Sequence, residues 1–146
     1  MLLVDVNVLL YARRRESSQH DEYRGWLEDR LGGPEPVGIS ELVLSAFIRI
    51  VTNHRIYREP TTPEAAIEFC EAVLGAPAAV AVRPGSRHWP IFVELCRATR
   101  SRANEVPDAY LAALAIETGA TWMTVDRGFA RYPGVRWRHP LAESPR

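Results

Sequence analysis

The chain has no lysine. All 18 basic residues among its 146 are arginine, and 18 acids balance them to a formal net charge of zero. Without an ammonium side chain, Schiff-base chemistry is excluded, as are the phosphate-loop lysine and the phosphoryl-stabilising lysine of phosphatases and receiver domains. A pI near 6.9 excludes a polybasic coat for DNA or a membrane surface, so any nucleic-acid contact has to come from local clusters. Cysteine is scarce: Cys70 and Cys96 are far apart and outside any CxxC pattern. Their apolar neighbours, among them Phe69, Val73, Phe92 and Leu95, make both small core-side residues of helices. No apolar run reaches the roughly 18 residues of a membrane span. The opening MLLVDVNVLLYA carries no basic leader and meets Asp5 at once, so it does not read as a secretion signal, and the expected setting is cytoplasmic. The four histidines show no pairing at metal-ligand spacing, and there is no GxSxG, HExxH or phosphate-loop element. Serine hydrolase, zinc protease and P-loop NTPase chemistry are thereby set aside.

What is present is an alternation of short apolar runs with longer helical patterns. Strands are expected at Leu2–Val4, Val37–Ile39, Ala79–Val82, Thr121–Val125 and, more weakly, Val135–Trp137. Between them lie a helix from Val8 capped by Asn7, one over Gln19–Leu31, one capped by Ser40 and one opened by Pro63. Two more are expected at Arg87–Thr99 and from Pro107 to the Gly119 stop. Strand–helix alternation of this kind builds right-handed βαβ units, hence an α/β fold with a parallel sheet covered by helices on both faces. The length suits a single domain over 1–146, with the last few residues as a flexible tail. In such folds the functional crevice lies at the carboxyl ends of the strands.

Two of the five aspartates stand directly after predicted strands, Asp5 in LLVDVN and Asp126 in WMTVDRGF. A third, Asp108, begins a helix on the same face as Leu111, Ala112 and Ala115, and so points toward the crevice. Each alone also fits a local role, an Asx turn or a helix cap. Gathered at one place they would repel one another unless a cation neutralised them, and all-oxygen ligation suits Mg²⁺, or Mn²⁺. Such a cation lowers the pKa of a bound water and polarises a phosphate, so phosphodiester hydrolysis is the expected reaction. Asn7, two residues beyond Asp5, either orients the site or simply caps a helix.

The ordered segments VDVNVLLYA, SELVLSAFIRIVTNHRIY and NEVPDAYLAALAIETGATWMTVDRGFARYPGVRWRHP resemble the PIN-domain family, in particular the VapC-type ribonuclease toxins of bacterial type II toxin–antitoxin systems. The likeness spans almost the whole chain and is densest over Pro107–Phe129. It implies a single PIN-like domain with a sheet in the order 3-2-1-4-5 and Mg²⁺-dependent endoribonuclease activity on tRNA or other structured RNA. It further implies restraint by a VapB-type antitoxin, and a homodimer. Carried over residue by residue, Asp5, Asp108 and Asp126 become the metal-binding and catalytic acids. One departure is plain: the glutamate expected six residues after Ser40 is Ala46. The nearest acid, Glu41, is rotated about 140° around the helix from that position, and either reaches the site from the helix start or only complements the helix dipole.

Arg13, Arg14 and Arg15, then Arg97, Arg100 and Arg102, and finally Arg127 cluster in sequence near the aspartates and are candidate RNA contacts, against the alternative of a solvated helix face. Arg49, bordered by apolar residues, reads as a half-buried partner of a carboxylate. Trp26, Trp89, Trp122 and Trp137 read as core or interface packing rather than base-stacking. Two rivals remain. A haloacid-dehalogenase-like phosphatase would need an acid at Asn7 and a lysine. A non-catalytic PIN-like module, binding RNA or protein, is the reading that the loss at Ala46 leaves open.

Overall fold

Strand β1 (Leu2–Val4) leads into helices α1 (Val6–Arg13) and α2 (His20–Leu31), and β2 (Val37–Ser40) into α3 (Glu41–Val51) and α4 (Pro63–Leu74). Strand β3 (Ala79–Val82) leads into α5 (His88–Thr99) and α6 (Glu105–Thr118), and β4 (Thr121–Met123) into a 3-10 turn over Arg127–Arg131 and β5 (Trp137–Arg138). The computed structural model describes residues 1–142, and the tail expected over the last few residues lies outside them. All the strand pairings are parallel, and the sheet runs β3-β2-β1-β4-β5, the order the family resemblance implies.

Strand β1 is central. Leu3 and Val4 point to opposite faces, and both are buried, so helices cover the sheet on either side at this strand. Gly38, the β2 partner of Leu3, has no room for a side chain: a Cβ there would lie 2.6 Å from Leu3 Cδ2 and 2.8 Å from Val82 Cγ2. Helix α3 presents Val43, Leu44, Phe47 and Val51 to the core, where Phe47 stacks on Phe69 of α4. Gly119 ends α6 at φ 67°, a left-handed stop that turns the chain into β4.

Several expectations need correction. Asp5, not Asn7, caps α1, because its carboxylate accepts from the Val6 N–H and the helix starts two residues earlier than the apolar pattern indicates. Helix α6 starts at Glu105, with Pro107 inside its first turn, where a missing N–H costs no helical hydrogen bond. Arg49 is exposed, since it lies on the side of α3 away from Phe47 and Val51. Trp89 is 67% exposed, whereas Trp122 is fully buried in β4. Cys70 and Cys96 are both free thiols on helices, as read.

Candidate active site

Because β1 and β4 are neighbours in register, Val4 against Met123, the chain leaves both strands at the same height. That juxtaposition places Asp5 beside Thr124. The Thr124 hydroxyl donates to Asp5 Oδ2 at 2.6 Å, and the same oxygen atom of Thr124 accepts from the Asp126 N–H at 3.0 Å. Asn7 Nδ2 donates to Asp5 Oδ2 and to Thr124 Oγ1, each at 3.1 Å, while Asn7 Oδ1 faces the Val125 N–H at 3.4 Å. Asn7 thus spans the β1 and β4 ends. Asp126 caps the 3-10 turn by accepting from the Gly128 N–H at 2.8 Å. Thr124 is wholly buried, and the T-x-D spacing was the sequence signal for it.

Asp5 is only 5% exposed. Its carboxyl is pushed up to about 6, chiefly by burial and to a smaller degree by the charges of Asp108 and Asp126, against the hydrogen bonds from Thr124 and Val6. Asp108, on the first turn of α6, is likewise raised, first by burial and then by Asp126. Three carboxylates from three separate elements therefore share one electrostatic field. Among the described residues, no three metal-ligating side chains are gathered tightly enough to enclose an ion. The donor chemistry nonetheless fits a hard divalent cation: the donors are all oxygen, two of them are destabilised as anions, and Mg²⁺ keeps several waters rather than needing an all-protein cage.

Two further residues belong to this neighbourhood and were missed in the sequence. Glu105 lies one turn before Asp108 on α6, and it went unread because the helix was expected to open at Pro107. Arg131 at the end of the 3-10 turn donates from Nη1 to Glu105 Oε2 at 3.1 Å and stands with Nη2 3.6 Å from Asp108 Oδ2. The i, i+3 spacing of Glu105 and Asp108 was a usable signal; nothing local marked Arg131.

The other candidates lie elsewhere. Glu41 is exposed at the start of α3 and pairs with Arg83, with Arg83 Nε 3.1 Å from Glu41 Oε1, so it is engaged at the surface. Arg14 is tied down: it donates to Thr61 Oγ1 at 3.1 Å, to the Glu59 carbonyl at 3.0 Å and to Glu16 at 2.7 Å, and lies over the Tyr57 ring. Most of its N–H donors are thus engaged within the protein. Arg13 and Arg15 line a groove of about 360 Å³ between α1, α2 and α4 with His20, Arg24 and Phe69. They sit at the end of α1 opposite Asp5, about 12 Å along the helix, and do not flank the acidic pocket. Arg97 in the last turn of α5 and Arg100 and Arg102 just beyond it are exposed, and exposed Arg127 borders an open cleft with Trp137, Arg138 and His139.

A protein-family model described as PIN domain matches residues 2–135. The chain is 50% identical over 141 residues to Ribonuclease VapC43 of Mycobacterium tuberculosis, covering 97% of this chain and 96% of that one. Its fold is similar to a VapBC2 structure from Rickettsia felis bound to a promoter DNA fragment, with a TM-score of 0.70, 18% identity, and coverage of 94% and 97%. It is also similar to the Sarcin–Ricin loop cleaving toxin VapC20 of M. tuberculosis, with a TM-score of 0.68, 16% identity, and coverage of 93% and 99%.

Proposed function

The chain belongs to the PIN-domain family, among the VapC ribonucleases, and from that premise we propose that it is a Mg²⁺-dependent endoribonuclease toxin whose site is Asp5, Asp108 and Asp126. The observation that carries the reading is the convergence of these three acids, Asp5 and Asp126 at the carboxyl ends of β1 and β4 and Asp108 on the first turn of α6, where burial first and the neighbouring acids second raise Asp5 and Asp108. A bound Mg²⁺, or Mn²⁺, would supply Lewis-acid polarisation of the phosphate and a water of lowered pKa. The chain's own work is positioning. Thr124 and Asn7 donate to one oxygen of Asp5 and the Val6 N–H to the other, so the carboxylate is fixed in orientation by three donors. Thr124 also holds the backbone of Asp126, so the two strand-end acids move as one unit. Asp108 is delivered by a different helix, and the pocket can adjust to the substrate through that helix alone.

The substrate class is RNA, with tRNA or another structured RNA as the target. The partner is a VapB-type antitoxin, and the toxin works as a single-domain homodimer in the cytoplasm. Titrating a tRNA pool with the purified protein tests the reading: cleavage in Mg²⁺, none in EDTA, and none with Asp5→Asn or Asp108→Asn. Cleavage that persists in EDTA or in those variants defeats the metal mechanism. The exposed Glu41–Arg83 pair and the alanine at position 46 favour one second reading, a binding module without catalysis. Tight antitoxin binding together with no cleavage of any RNA would select it.

A further inference from the structure

We propose that Arg131 grips the scissile phosphate in this site, held ready by Glu105 and Tyr132 and, before a cation binds, parked against Asp108; this rests on the ribonuclease reading above. The two contacts of its guanidinium differ in kind. The 3.1 Å contact to Glu105 is a hydrogen bond, whereas the 3.6 Å approach to Asp108 is an ion pair without one. The group also lies against the Tyr132 ring, 5.1 Å from its centroid, and the Tyr132 hydroxyl donates to the Glu105 carbonyl at 3.1 Å. One edge of the arginine is therefore fastened to the start of α6 while the other edge is loose. The loose edge faces the acids. A Cβ placed on Gly128 would lie 3.6 Å from Arg131 Nη2 and 2.8 Å from Asp126 Oδ1, so guanidinium and carboxylate border the same small gap. Among the described residues, Arg131 is the one cation within 4 Å of any of the three site aspartates.

An arginine with a purely neutralising role would be bonded equally to both acids. Here the firm bond is to Glu105, which leaves Asp108 able to turn to a cation while the guanidinium keeps its place with Nη2 freed toward the pocket. A forked, permanently charged donor at that position matches two phosphate oxygens. Two opposed consequences follow, which a structural arginine would not produce. Arg131 competes with the cation for Asp108, and it contributes to RNA affinity.

The test uses Mn²⁺ binding to the full chain followed by electron paramagnetic resonance. It is paired with anisotropy of a labelled tRNA pool in Ca²⁺. Arg131→Gln should bind Mn²⁺ about two- to five-fold more tightly, the range of a partly exposed ion pair. It should bind RNA about ten-fold more weakly, with the salt slope reduced by about one. Glu105→Gln, which keeps the arginine but unfastens it, should weaken Mn²⁺ binding and lower RNA affinity by less than Arg131→Gln does. Unchanged or weaker Mn²⁺ binding in Arg131→Gln overturns the proposal, and so does unchanged RNA affinity. Should that variant fail to fold, Glu105→Gln with wild-type affinity for both probes overturns it equally. If the wild-type chain takes up neither Mn²⁺ nor RNA, the ribonuclease reading itself falls and takes this proposal with it.

Discussion

The two ends of helix α6 carry acidic side chains in opposite circumstances. At its carboxyl end Glu117 accepts from the Gly85 N–H at 2.7 Å and the Arg87 N–H at 3.0 Å, while Arg87 Nη2 donates back to the Glu117 carbonyl at 2.9 Å. Every contact there is a hydrogen bond, and together they pin the loop between β3 and α5 to the helix. At its amino end Asp108 is half-buried, close to two other carboxylates, and faces its one arginine without a hydrogen bond. One helix, 14 residues long, thus joins a satisfied structural anchor to an unsatisfied charge cluster about 14 Å away. The unsatisfied end is the one proposed here as functional, because there the fold leaves negative charge for a cation and phosphate to complete.

Breaking each end in turn should separate activity from stability. The largest effect is expected from Asp108→Asn, which should lower RNA cleavage by about 10²- to 10⁴-fold with the melting temperature unchanged or raised; single-turnover cleavage alongside calorimetry would check it. Next comes pH. The folded Asp5 carboxyl is raised to about 6 from 3.8, so the folded metal-free protein binds a proton more readily than the unfolded chain. Its contribution to stability is fully present below pH 3.8 and is lost as pH rises through about 6, amounting to about 3 kcal/mol at most. Chemical denaturation of the metal-free protein from about pH 3.5 to pH 8 should show that loss, most of it between about pH 4 and pH 6, and Asp5→Asn should remove it. Glu117→Ala should cost about 1–3 kcal/mol by orphaning two backbone donors, with cleavage per folded molecule unchanged; a denaturant midpoint and active-fraction assay would show whether the anchor is purely structural. The smallest effect should come from Glu41→Gln, which breaks an exposed ion pair: stability within about 0.5 kcal/mol and the same cleavage rate. A large loss of cleavage there would return Glu41 to the active site.

Much of the scaffold was legible because its signals are local. Asp5 and Asp126 mark strand ends, and the apolar runs that precede them can only be buried strands in a chain with this alternation. Asp108 follows from helical spacing. Glu105 was hidden by Pro107, which has the ordinary preference for a helix start but here sits inside the first turn. Arg14 and Arg131 have the same side chain in different surroundings, and their neighbours in sequence do not distinguish them. The partners that immobilise Arg14, Thr61 and Glu59, lie 47 and 45 residues away, and Glu105 lies 26 residues from Arg131.

The sequence by itself determined the elements, their parallel arrangement and the absence of lysine chemistry, and it singled out the three acids proposed as the site, since periodicity, capping and residue type are carried within a few positions. Tertiary structure decided which charges are paired. It gave Arg14 and Glu41 partners of their own, tied Asp5 to Thr124 across 119 residues, and placed Arg131 between Glu105 and Asp108. Charge pairing depends on distance in space and on burial, and neither is set by neighbours along the chain.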